Sequence, residues 1–143
     1  MNDTRDRRFF RHGLFLIVTG LVAGLLMQRM PHPRLGLATH LEALLLGMLL
    51  LLLGLLWGRF SLPAWARALL GWLPILGAYT SVGVHLFTAL FPAGEYWMPI
   101  AAAGSTGTPW QERIVTAAMI VIGVTMLPAM LIALWGMLRA EER

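Results

Sequence analysis

The chain has 143 residues, of which 58% are hydrophobic and 13% are charged, and its mean hydropathy is +0.72. Soluble domains carry about twice this fraction of charged residues, so the composition excludes an ordinary soluble domain and indicates an integral membrane protein. The net charge of +4 does not indicate nucleic-acid binding, because the arginines gather at the ends of apolar segments and form no basic face. The chain contains no cysteine, which excludes disulfides, thiolate chemistry and cysteine-ligated metals.

Four segments are long and apolar enough to cross a bilayer as helices, so we predict an all-α, four-helix membrane bundle that forms a single domain. The predicted spans cover residues 9–27, 35–57, 65–91 and 114–138. Arg11 and His12, at the start of the first span, are placed to reach the membrane surface. The basic N-terminus resembles a signal peptide, but residues 28–31 offer no small-residue cleavage site, so we predict an uncleaved anchor.

The placement of arginine predicts the orientation. Eight arginines lie in the N-terminus, the second loop and the C-terminus (up to Arg143), and three lie in the first and third loops. Because positively charged segments remain on the cytoplasmic side, both termini are predicted to be cytoplasmic. We therefore expect a multi-pass protein of the bacterial inner membrane, with the first and third loops outside.

The segment from Thr39 to Met48, near the outer end of the second span, carries the most unusual polar residues of the chain. An ionisable group inside lipid costs about 3 kcal/mol and marks a ligand or ion site by default. His40 either bonds to a carbonyl of a neighbouring helix or binds a metal or haem iron as neutral imidazole. Gly47 lies on the same stripe, which either admits a flat macrocycle or lets two helices pack closely. Arg34 lies about 9 Å above His40 along the helix, which is about the distance from a haem iron to its propionates. It either binds such carboxylates or simply lies at the membrane interface.

The other polar residues of the second and third spans each have a structural and a functional interpretation. Glu42 lies about 200° around the helix from His40, and it either reaches the surface and pairs with an arginine or acts as a general acid or base. Tyr79 and Ser81 either orient a substrate or bond between helices. His85 is a second axial ligand, a proton shuttle or a hydrogen-bonded core histidine.

The third loop, residues 92–112, is long for so small a protein, and such loops are often lids or binding loops. Its apolar run Met98–Gly104 is predicted to fold over the mouth of the bundle. The pattern of Thr108, Pro109 and Glu112 predicts a capped start of the fourth helix with proline at its first position.

These motifs, in this order, resemble the hydroxylaminobenzene mutases and, more distantly, the styrene oxide isomerases. The resemblance extends from about Arg11 to Leu138. It is carried by the segment PRLGLATHLE at residues 33–42, by Tyr79, and by the third-loop segments MPIAAAG and GTPWQE. The mutases move a hydroxyl group within an arylhydroxylamine to give an aminophenol. The isomerases open an aryl epoxide to an aldehyde, and they are trimers with haem b held by a histidine at the subunit interface.

The resemblance implies a homotrimeric haem b isomerase that acts on a small aromatic substrate, with His40 as the proximal iron ligand. The iron would act as a Lewis acid, polarising an N–O or C–O bond without net redox chemistry. We place Arg34 and Gly47 beside the haem. The residues predicted to orient the substrate or relay a proton are Tyr79, Ser81 and Glu42.

Two positions depart from the family pattern. The family commonly has asparagine where this chain has Leu46, and a second asparagine in the third span where this chain has Ser81. Two amides that could hold a polar substrate are therefore absent, which bears on what the site accepts.

Two other functions compete with the isomerase. In an electron-transfer subunit, His40 and His85 would both bind the haem iron. A small membrane transporter is less favoured, because such proteins couple through a carboxylate at mid-membrane and Glu42 lies near a surface.

Overall fold

The computed structural model describes residues 4–141, and within this range all regular secondary structure is helical. The helices are α1 (Thr4–Leu26), α2 (Pro33–Leu56), α3 (Ala64–Leu90), the short α4 (Pro99–Ala102) and α5 (Pro109–Glu141). Over the described residues, four of these helices are long and apolar enough to cross a membrane. The prediction of an all-α protein with four spans is thereby confirmed. Residues 1–3 and 142–143, including Arg143, lie outside the described residues.

The fourth predicted span, residues 114–138, lies inside a longer helix that begins at Pro109. Gln111, at the third position of this helix, reaches back to Thr108: its Oε1 accepts the Thr108 backbone N–H and hydroxyl, at 2.8 and 2.9 Å, which is one half of a capping box. The cap was thus predicted at the right residue, but with the wrong partner. Glu112 lies one position too far along the helix to complete the cap, and its carboxylate binds the preceding loop instead.

The closest helix contact joins α1 to α2, which run antiparallel across the short first loop. Glycines on both helices let the backbones meet: a Cβ atom on Gly13 would lie 2.8 Å from the Gly47 carbonyl oxygen, and one on Gly47 would lie 2.7 Å from the Ile17 side chain. Small residues at a helix crossing maximise van der Waals contact in lipid. Of the two interpretations of the Gly47 stripe, this contact shows close helix packing, so Gly47 faces α1 and not an open surface.

The remaining long helices pack one after another onto this hairpin, in the order in which they occur along the chain. Helix α2 also contacts α3, and α3 contacts α5, whereas α1 makes few contacts with α3. The core of this arrangement is centred on Trp57, which is only 2% exposed and packs against Phe9 with 5.4 Å between ring centroids. Outward faces of α2 and α5 are aliphatic, as at Leu45 and Leu127, which suits a lipid surround.

Replacing Gly13 by alanine tests the α1–α2 contact. The added methyl group would meet a backbone carbonyl that cannot rotate away, so Gly13→Ala is expected to lower the free energy of unfolding in detergent by about 1–3 kcal/mol. The matched control is Gly123→Ala on α5, where a Cβ meets nothing within 4 Å. Denaturant unfolding followed by circular dichroism compares the two; equal stability of both variants would contradict the packing described here.

Candidate active site

His40 lies against the backbone of α1. Its Nδ1 is 2.7 Å from the Gly20 carbonyl oxygen, and a Cβ atom on Gly24 would lie 2.6 Å from the same nitrogen. Only a glycine at residue 24 therefore lets the imidazole rest on the helix. Because a carbonyl oxygen can only accept, Nδ1 carries the proton in the neutral ring, and Nε2 is left with a free lone pair. Among the described residues, no protein atom bonds to Nε2.

The surroundings of His40 fit an iron-bound macrocycle in two respects. A histidine that ligates a metal usually donates its other ring N–H to a carbonyl or carboxylate, which fixes the ring and raises its basicity, and Gly20 provides such an acceptor. The imidazole is half-buried at the edge of the α1–α2 contact, one turn from the aliphatic side chains of Leu37 and Leu44. In the described part of the chain, no group of three or more His, Asp or Glu side chains could hold a metal ion.

Arg34 lies on the first turn of α2 and is exposed. At 100° per residue it is about 120° around the helix from His40. It borders a cleft of about 200 Å³ between the first loop and α4, to which His32 and Ser105 also contribute. The structure thus places Arg34 above His40 but on a different face, so only its long side chain could reach a group bound there.

Glu42 and Ser81, two of the predicted catalytic residues, are brought together between α2 and α3. The Ser81 hydroxyl donates to Glu42 Oε2 at 3.1 Å, and Ser81 is only 5% exposed. The carboxylate therefore has a serine of the neighbouring helix as its partner, which the sequence did not predict, in place of the arginine considered there.

His85 is a hydrogen-bonded histidine of α3. Its Nδ1 donates to the Ser81 carbonyl oxygen of its own helix at 2.8 Å. The His40 ring, in contrast, is directed at α1. Within one chain the two imidazoles are therefore fixed on different helices by separate carbonyl groups, an arrangement that does not favour shared ligation of one iron.

Tyr79, the third predicted catalytic residue, lies between α3 and α1. Its hydroxyl is 2.9 Å from His12 Nδ1, and its ring stacks on Phe15 with 6.0 Å between centroids. With Arg11, these residues line a cleft of about 540 Å³. Sequence reasoning treated His12 as a residue of the membrane surface. Its position within an apolar span was the signal that could have identified it, because a histidine there needs a partner.

The predicted site residues thus occupy three positions in one chain. His40 lies at the α1–α2 contact, Glu42 and Ser81 lie between α2 and α3, and Tyr79 lies in the cleft between α1 and α3. On α1, the partner of Tyr79 precedes the partner of His40 by eight residues, which is about 12 Å along the helix. A single chain therefore does not place Tyr79 beside His40.

The third loop is tied to the first turns of α5. Glu112 Oε1 accepts the backbone N–H groups of Gly94 and Gly107, at 2.9 and 3.0 Å, so one oxygen atom ties both ends of the loop. Trp97 adds a bond from its ring nitrogen to the Thr116 hydroxyl at 3.0 Å. The short helix α4 then lies against α2.

A four-span helical membrane protein with a histidine bonded to a backbone carbonyl of the next helix and a part-buried serine–carboxylate pair is a candidate membrane enzyme. Residues 5–138 match the styrene oxide isomerase family model, and the chain belongs to that family. It is 40% identical to the hydroxylaminobenzene mutase HabB of Ectopseudomonas oleovorans over 137 residues, 96% of this chain and 84% of that protein. It is 43% identical to HabA of the same organism over 132 residues, 91% of this chain and 96% of that protein.

No solved structure matches the chain. The family match and the two relatives confirm the resemblance found in the sequence and establish the protein as an isomerase of the membrane.

Removal of the Glu112 carboxylate tests the anchoring of the third loop. In Glu112→Ala the amides of Gly94 and Gly107 lose a charged acceptor, so their hydrogen exchange is expected to accelerate about tenfold or more. Exchange measured by mass spectrometry on peptides from residues 91–108 reports this directly. Peptides from α2 serve as the internal control and should be unchanged; unchanged protection of the loop would contradict the anchoring role.

Proposed function

We propose that this protein is a haem b-dependent isomerase that rearranges a small aromatic substrate, in the manner of a hydroxylaminobenzene mutase. The observation that carries the proposal is the His40 imidazole, held by the Gly20 carbonyl with Nε2 available as a ligand. Two relatives named as hydroxylaminobenzene mutases support the reaction class. Haem bound at His40 would supply a Lewis acid that polarises the N–O bond of an arylhydroxylamine, so that the bond ionises without net redox chemistry.

The protein's own polar groups suit the proton movements of this reaction. The hydroxyl group moves from nitrogen to a ring carbon, and the proton displaced from that carbon is replaced by one on nitrogen, so substrate and product have the same formula. A carboxylate can accept the ring proton and return it. Glu42 is the candidate, because Ser81 donates to Oε2 and orients the group, which leaves Oε1 to take a proton.

Tyr79 is the candidate for orienting the substrate. Its phenol forms one wall of an aromatic cleft with Phe15, and offset aromatic rings attract each other. A phenol hydroxyl can also donate to a substrate oxygen as negative charge develops there. Arg34, on a different face of α2 from His40, is the candidate partner for haem carboxylates, because its long side chain carries a planar cation that pairs with carboxylates.

The absence of the two family asparagines, at Leu46 and Ser81, bears on how well the site holds a polar substrate. Leu46 packs against the apolar core and offers no hydrogen bond, and the Ser81 hydroxyl is engaged with Glu42. Sites that hold a polar substrate lose affinity sharply when a donor is removed. We therefore propose weaker turnover of phenylhydroxylamine than in family members that retain both asparagines.

We further propose that the site is completed in a homotrimer. The His40 edge and the Tyr79 cleft are different surfaces of one chain, separated by about 12 Å along α1. A contact between two different surfaces repeats around an axis and closes into a ring when the rotation allows. In such a ring the His40 edge of each copy would meet the Tyr79 cleft of the next, within the bacterial inner membrane.

Purified protein supplied with phenylhydroxylamine tests the function. The product is expected to have the mass of the substrate and to form without an added electron donor. His40→Ala should abolish both the Soret band and the product, because the ligand is lost, whereas His85→Ala should retain the band. Circular dichroism checks that both variants fold. A Soret band of full intensity in His40→Ala would overturn the haem assignment, and a wild-type protein that yields no isomer would overturn the reaction.

Reporter fusions test the predicted orientation of the protein in the membrane. A reporter after Arg143 should register as cytoplasmic, and one inserted at residues 105–107 should register as external, because arginines are enriched on the side of the termini. The opposite pattern would place the His40 end of the bundle on the cytoplasmic side.

A further inference from the structure

We infer that His12 is a positioning residue, which holds the Tyr79 hydroxyl so that its proton points into the cleft between α1 and α3. This inference rests on the proposed function, because it assigns Tyr79 to the handling of an aromatic substrate. The observation is a single contact, 2.9 Å between His12 Nδ1 and the Tyr79 oxygen, which joins residues 67 positions apart in the chain.

The contact is the only hydrogen bond between α1 and α3 among the side chains that the structure describes. The two helices otherwise make few contacts, so general packing does not require a polar pair here. Arg8, on the same helix, lies over the Trp72 ring at 3.6 Å and is engaged there. The polar groups that line the cleft are therefore Arg11, His12 and the Tyr79 hydroxyl.

Two neighbours control different degrees of freedom of Tyr79. Stacking on Phe15, with 27° between the ring planes, fixes the position of the phenol ring. Stacking does not fix the direction of the O–H bond, which rotates freely unless the oxygen has a partner. The His12 ring meets Tyr79 edge-on, at 89° between planes, which brings Nδ1 to the phenol oxygen.

The reaction decides which of the two groups donates. When an N–O or C–O bond ionises, negative charge develops on the departing oxygen, and a donor aimed at that oxygen stabilises it. If Nδ1–H of His12 donates to the Tyr79 oxygen, the tyrosine proton remains free for the substrate. We assign this tautomer, in which His12 acts through Tyr79 and does not itself touch the substrate.

The test uses His12→Phe, which retains a ring of similar size and its edge contact but removes Nδ1. The expected result is about a tenfold lower kcat with phenylhydroxylamine, the effect of one neutral hydrogen bond, with KM changed by less than about twofold. His12→Gln, whose amide can donate, should recover most of the rate. Combining His12→Phe with Tyr79→Phe should cost no more than Tyr79→Phe alone, because the histidine acts only through the hydroxyl.

The control is Thr19→Val on α1, which removes an exposed hydroxyl that donates to the Phe15 carbonyl oxygen of its own helix and should leave kcat unchanged. Thermal midpoints and Soret intensities of all variants identify loss of fold or haem. An active wild type with an unchanged kcat in His12→Phe overturns the positioning role alone. A double variant whose loss of kcat equals the sum of the two single losses on a logarithmic scale also overturns it. So does a folded His12→Gln variant that recovers none of the lost rate. A wild type that forms no isomer overturns the proposed function, and this inference with it.

Discussion

The close approach of α1 and α2 determines most of what this protein presents to its surroundings. In lipid there is no hydrophobic force between helices, so the contact depends on glycines that let two backbones touch. The same approach brings the Gly20 carbonyl within reach of the His40 ring. A side chain on Gly24 would displace the imidazole, and one on Gly13 would separate the helices. The packing of the two helices and the orientation of the His40 ring therefore depend on one stripe of small residues.

The bilayer also explains why so much of the fold could be predicted. Each span had to be an apolar helix of about 20 residues, since backbone groups in lipid have no other partner. The ends were less predictable: α5 starts at Pro109 because Gln111, and not Glu112, completes the cap with Thr108. Gly47 illustrates a further limit. A stripe of glycines fits a macrocycle or a second helix equally well, and only the register of α1 against α2 decides which one covers it.

The sequence predicted which residues of the candidate site are important, but not which of them lie together in the structure. His40, Glu42, Ser81 and Tyr79 were each identified because a polar group inside an apolar span needs a partner. Their partners depend on the rotation of each helix about its axis, which a sequence does not display. In the structure, the helix faces that meet bring Glu42 to Ser81. They also bring Tyr79 to His12, a residue that the sequence placed at the surface. The division into three positions follows from three different helix contacts, α1 with α2, α2 with α3, and α1 with α3.

The anchoring of the third loop at Glu112 has a consequence for how that loop can move. Gly94 and Gly107 share one acceptor oxygen, so the segment between them is a ring closed by two hydrogen bonds. Such a ring has already lost the entropy of bringing its ends together, and its ends cannot fray independently. Within this ring, Trp97 adds a link from its ring nitrogen to the Thr116 hydroxyl of α5. The segment is therefore held to α5 by three hydrogen bonds, two of which share one carboxylate oxygen.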